Sequence, residues 1–139
     1  MATFNKFNAF VENLAEKVFN LGSDTLKVML TNAAPSASNS VKADLTEISA
    51  GNGYTSGGTA ATISSSAQTS GTYKLVLADV VFTAAGGSIG PFRYAVLYDD
   101  TAASDQLIGY WDYGSSITIS SGETFTVDFN ASTGIMTLA

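Results

Sequence analysis

Three aspartates lie close together in the last third of the chain, and their oxygens are the ligands that a calcium ion prefers. Asp99, Asp100 and Asp105 all fall within the segment DDTAASD. Calcium sites collect several carboxylate and carbonyl oxygens on one loop, but this segment lacks the central glycine and the closing glutamate of an EF-hand. Aspartate is also a common turn residue. We therefore expect these residues to cap a turn, and calcium binding is the alternative.

Other catalytic chemistry has few candidates, because the chain contains neither histidine nor cysteine. Without histidine it has no Ser-His-Asp triad and lacks the commonest general base. Without cysteine it has no disulfide, no thiolate metal site and no cysteine nucleophile. The side-chain inventory therefore predicts a protein that is not an enzyme and that holds no cofactor.

A second set of candidate functional residues is aromatic. Tyr110, Trp111 and Tyr113 lie in one alternating segment, and such rings fill cores, anchor protein interfaces or stack on sugars. Successive strand residues point to opposite faces, so Tyr110 must point away from Trp111. Core packing is the first interpretation, followed by an interface and then by a sugar site. Asn52 and Tyr54 are further interface candidates, because we expect the loops at 36–58 to form the partner-binding surface.

The charges are few and unevenly placed. The net charge is -6, from 12 acidic and 6 basic residues. Residues 1–94 contain six of each kind, whereas residues 95–139 contain six acids and no base. A nucleic-acid-binding protein needs a basic surface, so we expect no nucleic-acid partner. No apolar run approaches the roughly 20 residues of a membrane span, and the N-terminus does not read as a signal peptide, so we expect no membrane partner.

The N-terminal segment has the periodicity of a helix. Apolar residues step by three and four from Phe4 to Leu21, and Gly22 follows as a C-terminal stop. This pattern predicts one helix over residues 4–21, packed on the rest of the protein.

The remainder of the chain has the periodicity of strands. Apolar residues alternate from Thr25 onward, which predicts a half-buried strand after that residue, and the alternation recurs in segments separated by turn residues. Short strands at intervals of about 8–12 residues indicate an antiparallel sandwich or barrel. The predicted fold class is mainly β, an antiparallel β-sandwich of about seven or eight short strands with one N-terminal α-helix packed on it. We predict a single domain over 1–139, with the helix at 4–21 and the body at 25–139.

Four segments resemble small virion proteins of tailed bacteriophages. They read FNKFNAFVENLAEKVFNLGSDTLKVMLTNAAP at 4–35, EISAGNGYTSGG at 47–58, GPFRYAVLYDD at 90–100 and LIGYWDYGSSITISSGETFTVDFN at 107–130. Together they span nearly the whole chain and contain no catalytic signature. The resemblance implies a structural protein, either a capsid decoration or cement protein or a small tail, fibre or baseplate component. It implies no active site.

The resemblance and the composition together set a functional expectation. We expect a capsid decoration protein that binds the major capsid protein or other virion proteins and forms a homo-oligomer in the particle. It would be made in the host cytoplasm without a signal peptide and would lie on the exterior of the virion. A tail component is the first alternative. A carbohydrate-binding β-sandwich domain, using the aromatic residues and calcium at the aspartate loop, is the alternative of another class.

Overall fold

Antiparallel strands make up most of the regular structure in residues 2–139, the part of the chain that this computed structural model describes. The strands are β1 (Asn5–Lys6), β2 (Leu26–Thr31), β3 (Thr59–Ala61), β4 (Ile63–Thr69), β5 (Thr72–Leu77), β6 (Val80–Thr83), β7 (Ile89–Asp99), β8 (Leu107–Ile119), β9 (Thr124–Val127) and β10 (Met136–Leu138). The helix α1 spans Ala9–Ala15, and a 3-10 turn spans Lys42–Asp44. The strands outnumber the predicted seven or eight because β1, β3 and β10 are pieces of two or three residues. Met1, which the predicted domain includes, lies outside the described residues.

The strands form antiparallel sheets that pack together around one main core. The largest sheet has the order β1-β8-β7-β2-β3, and smaller sheets have the orders β10-β5-β4 and β6-β9. Side chains from β2, β7 and β8 meet those of β5, β6 and β9 in this core. The prediction of a mainly β, antiparallel, sandwich-like fold with one helix is confirmed.

The large sheet is covered on its second face as well. A smaller apolar cluster lies there, made of Phe7, Met29, Val96, Tyr98 and Leu107. Residues 36–58, which we call the covering segment, run across this face and add the side chain of Leu45 to the cluster. The prediction of a half-buried β2 is therefore wrong: all but one of its residues are buried, because a loop rather than solvent meets its outer face.

The predicted helix over 4–21 is wrong in extent, because both of its ends take other structures. At the start, β1 pairs with β8, and Phe4 lies over Gly109, where a Cβ atom would come within 2.1 Å of the Phe4 ring. At the end, Lys17 has a left-handed backbone (φ 65°), which stops the helix. Only Ala9–Ala15 is helical. No helix in residues 2–139 is long and apolar enough to cross a membrane.

Candidate functional site

The three aspartates of the segment DDTAASD have separate roles. Asp99 is fully buried, and its Oδ1 accepts hydrogen bonds from the backbone N–H groups two and three residues further on, at 2.9 and 3.1 Å. Asp100 pairs with Lys27, with 3.0 Å between Oδ2 and Nζ. Asp105 has a left-handed backbone at φ 52°. Asp99 therefore caps the turn that follows it. Within residues 2–139 no group of three acidic, histidine or cysteine side chains is placed to hold a metal ion.

Tyr54 lies in the core, where it fastens the covering segment to β2. Its hydroxyl donates a hydrogen bond to Glu47 Oε1 at 2.7 Å and accepts one from the Leu30 N–H at 3.0 Å. The same Glu47 oxygen accepts a bond from the Gly57 N–H at 2.6 Å. Burial raises the pKa of Tyr54 above its usual range, so the hydroxyl stays protonated. The expectation that Tyr54 contacts a partner is corrected, since its side chain is only 3% exposed.

Asn52 is exposed and joins two loops. Its side-chain amide donates a hydrogen bond to the Ser88 carbonyl at 3.0 Å. Its backbone carbonyl accepts a hydrogen bond from the Ala85 N–H at 2.9 Å. A Cβ atom at Gly87 would lie 2.6 Å from the Asn52 side chain, so a larger residue there would displace the Asn52 amide. Asn52 therefore joins the covering segment to the loop after β6, and its own backbone is left-handed at φ 55°.

Tyr110 and Trp111 lie on opposite faces of the large sheet, as their alternation predicts. Tyr110 packs on Phe7 in the smaller cluster, with ring centroids 5.3 Å apart. Trp111 packs on Phe4 and Phe129, at 5.3 and 5.2 Å, at the border of the main core. Both side chains are half-buried. Trp111 opens into a cavity.

That cavity, which we call the aromatic cleft, lies between β8 and β9. It has a volume of about 380 Å³, and its aromatic walls are Trp111, Tyr113 and Phe125. Tyr113 is 56% exposed and meets Phe125 edge to face at 5.5 Å. Phe125 in turn packs edge to face on the buried Phe92 at 4.9 Å. This row of rings runs from the core to the surface, so Tyr113 is a large exposed ring held against a fixed support.

A charge pair lies beside the aromatic cleft. Arg93 binds Asp112 with two hydrogen bonds, Nε to Oδ1 at 2.8 Å and Nη2 to Oδ2 at 3.0 Å. Asp112 Oδ1 also accepts the Gly114 N–H at 2.8 Å. Arg93 is the main reason that the pKa of Asp112 lies below its ordinary value. Both side chains are more than a third exposed, so the pair adds little stability and is available to a ligand as a planar donor and acceptor.

The arrangement suits binding, because it combines apolar ring surface with one charge pair. Sequence reasoning identified Trp111 and placed Tyr113 on the same face. It missed Arg93 and Phe125, because nothing in their spacing reveals that β7 pairs with β8 or that β9 lies against β8 at the cleft.

Comparison of the chain with family models, with curated proteins and with solved structures gave no match.

Proposed function

We propose that this chain is a non-enzymatic structural protein of a tailed-phage particle, first of all a capsid decoration protein. Its partner would be the major capsid protein or another virion protein, on the exterior of the particle, where copies of the chain form a homo-oligomer. The support from sequence is the resemblance of the four segments at 4–35, 47–58, 90–100 and 107–130 to small virion proteins.

The observation that carries the proposal is the aromatic cleft. Tyr, Trp and Arg are the residues most enriched among those that dominate binding energy at protein interfaces. Here Tyr113, Trp111 and Arg93 meet at one cavity, which an apolar side chain of a partner can enter. Tyr113 already packs on Phe125, and Trp111 on Phe4 and Phe129, so binding orders few side chains and costs little conformational entropy.

The proposed mechanism is the sum of many weak contacts. A ligand that binds an assembled shell, and not its separated subunits, stabilises the assembly by mass action. Many copies on one shell multiply this effect without requiring a tight single contact. A decoration protein therefore needs a rigid body and an anchor, not an active site.

The test is a change at the exposed ring of the cleft. Tyr113→Ser should weaken binding to particles that lack the protein by about 30-fold or more, since residues that dominate interfaces contribute roughly 2 kcal/mol or more. The unfolding free energy should change by less than about 1 kcal/mol, because the ring is mostly exposed. Co-sedimentation over a range of protein concentrations measures the first quantity, and denaturant unfolding the second.

Val81→Ser is the matched control. Val81 is also apolar and 49% exposed, but it lies on β6 and does not line the cleft. Particles should bind this variant like the wild type. Equal binding by all three proteins would contradict the aromatic cleft as the anchor.

Quantitative mass spectrometry of virions separates the head and tail versions of the proposal, since a shell protein has many copies and a tail component has few.

A carbohydrate-binding domain is the second candidate, and the same cleft favours it. Aromatic faces stack on sugar rings, and a nearby Arg–Asp pair supplies both donors and acceptors to hydroxyl groups. Wild-type binding on a glycan array, lost in Tyr113→Ser and kept in Val81→Ser, would support this candidate over the structural one.

A further inference from the structure

The corner between residues 20–25 and the loop after β7 contains a buried carboxyl group with an incomplete set of hydrogen bonds. Asp99 is 0% exposed. Its Oδ1 accepts two backbone N–H groups of its own loop. Its Oδ2 has no hydrogen-bond partner with a donor hydrogen among residues 2–139. A buried acceptor without a donor is costly, so this oxygen needs an explanation.

Asp24 is the group that faces this oxygen. Leu26 pairs with Asp99 across β2 and β7, and Asp24 comes two residues before Leu26, in the bend that leads into β2. The two carboxyl groups lie within hydrogen-bond reach of each other. The Asp100 N–H also donates to the Thr25 carbonyl at 2.9 Å, which holds the two segments together.

The other charged groups nearby do not neutralise this pair. Lys27, on β2, is occupied by Asp100 in an ion pair at 3.0 Å. Asp105, on the same loop as Asp99, adds a further negative charge. Lys17 lies on the groove that Asp24 also lines, and its exposed side chain makes no ion pair among the described residues. Two carboxylates side by side, one of them fully buried, cannot both ionise without strong repulsion.

We propose that Asp24 and Asp99 share one proton, and that this carboxyl–carboxylate pair is a pH-sensitive latch between residues 20–25 and the loop after β7. The proton supplies the donor that Asp99 Oδ2 lacks. Loss of the proton leaves two negative charges facing each other and loosens the corner. This inference is independent of the proposed particle-binding role, because the aromatic cleft is lined by other residues.

The pH range follows from the direction of the shift. Burial, with the hydrogen bond to Asp24 acting in the same direction, raises the pKa of Asp99 from its ordinary 3.8 to about 7. Between these values the folded chain holds a proton that the unfolded chain releases. Stability from this group is therefore complete below about pH 4 and is lost as the pH rises through about 7.

The experiment compares melting temperatures of three proteins from pH 4.5 to 8.5. In Asp99→Asn the side-chain carbonyl can still accept the two backbone N–H groups of the loop, and the NH₂ group is a permanent donor to Asp24. The Tm of this variant should therefore not depend on the titration of residue 99. We expect the Tm of Asp99→Asn minus that of the wild type to increase with pH from 4.5 and to level off above about pH 7. Asp128→Asn is the control, because it removes the same charge from an exposed position, and its Tm difference from the wild type should stay constant above pH 5.

Two further measurements keep the proposal falsifiable if Asp99→Asn fails to fold. Carbon-13 NMR of the wild-type carboxyl groups should show one aspartate titrating near pH 7. An Asp99 signal that titrates near pH 4 would overturn the shared proton. A Tm of the wild type that rises on addition of calcium chloride, and falls again with EDTA, would also overturn it, in favour of a cation between the two carboxylates.

Discussion

Among single residues, the buried hydroxyl groups have complete hydrogen bonds. Thr31, which is fully buried, donates to the Thr46 carbonyl, and the Tyr54 hydroxyl both donates and accepts. These bonds connect β2 to the covering segment, which contains few apolar side chains of its own. The segment is therefore held by a small number of polar contacts, each of which leaves a buried group unpaired when it is removed.

Tyr54→Phe tests this attachment. The change keeps the ring but removes the partner of the buried Leu30 N–H and of Glu47. We expect the free energy of unfolding to fall by about 1–3 kcal/mol, the range for a buried polar group left unsatisfied. Denaturant unfolding measures it, and Tyr113→Phe is the control because its ring is mostly exposed. A loss of the same size in both variants would contradict this role of the Tyr54 hydroxyl.

Among the elements, β1 and the covering segment together close the second face of the large sheet. The Phe7 N–H donates to the Ile108 carbonyl at 3.2 Å, which continues the pairing of β1 with β8. The ring of Phe7 is fully buried in the smaller cluster. The Asn8 N–H then donates to the Ala37 carbonyl at 2.9 Å, so the N-terminal residues touch the covering segment directly. This second apolar cluster thus depends on residues that are distant in sequence.

Phe7→Ala should therefore destabilise the isolated protein strongly. Truncation of a buried phenylalanine to alanine typically costs about 3–5 kcal/mol. Val11→Ala is the control on the neighbouring helix, because Val11 is 51% exposed, and it should change stability by less than about 1 kcal/mol. Thermal melts of the two variants measure both losses of stability. Normal melting of Phe7→Ala with impaired particle binding would instead make the N-terminal segment an anchor for a partner.

The strands were easier to predict than the helix, for a physical reason. Alternation in β7 and β8 reflects a period of two that only an extended chain can satisfy. The spacing of Phe4 and Phe7 fits a helix, but the same residues can also lie along a strand edge, and only the space above Gly109 decides between the two. The Asp24–Asp99 pair had no signal at all, because the two residues are far apart in sequence and meet only when β2 pairs with β7.

In the whole molecule, the acidic last third does not form one charged surface. Asp99 is buried, and Asp112 is neutralised by Arg93. Glu123 accepts a hydrogen bond from the Ser120 N–H at 2.6 Å, and Asp128 remains exposed beside the aromatic cleft. The net charge of the chain is nevertheless -6, and the whole excess of acids over bases falls within residues 95–139.

This balance predicts that the protein does not bind duplex DNA at about 150 mM salt, where charges are screened beyond roughly 8 Å. The phosphates need basic partners whose binding releases counterions, and residues 95–139 have none. Fluorescence anisotropy of a labelled duplex measures binding of the protein to DNA, and a basic DNA-binding protein serves as the positive control. Saturable binding that weakens with added salt would contradict the prediction.

The hairpin formed by β4 and β5 leads to a practical use of the fold. Its two-residue turn, Ser70 and Gly71, has left-handed backbone angles (φ 50° and 84°), and the space around Gly71 is open to at least 4 Å. Most residues of β4 are exposed, so little of the core depends on this turn. The entropic cost of a longer loop grows only slowly with its length. A foreign epitope inserted between these two residues would be displayed away from the core. Under the proposed decoration role, a particle coated with many copies would present it as a dense, regular antigen array.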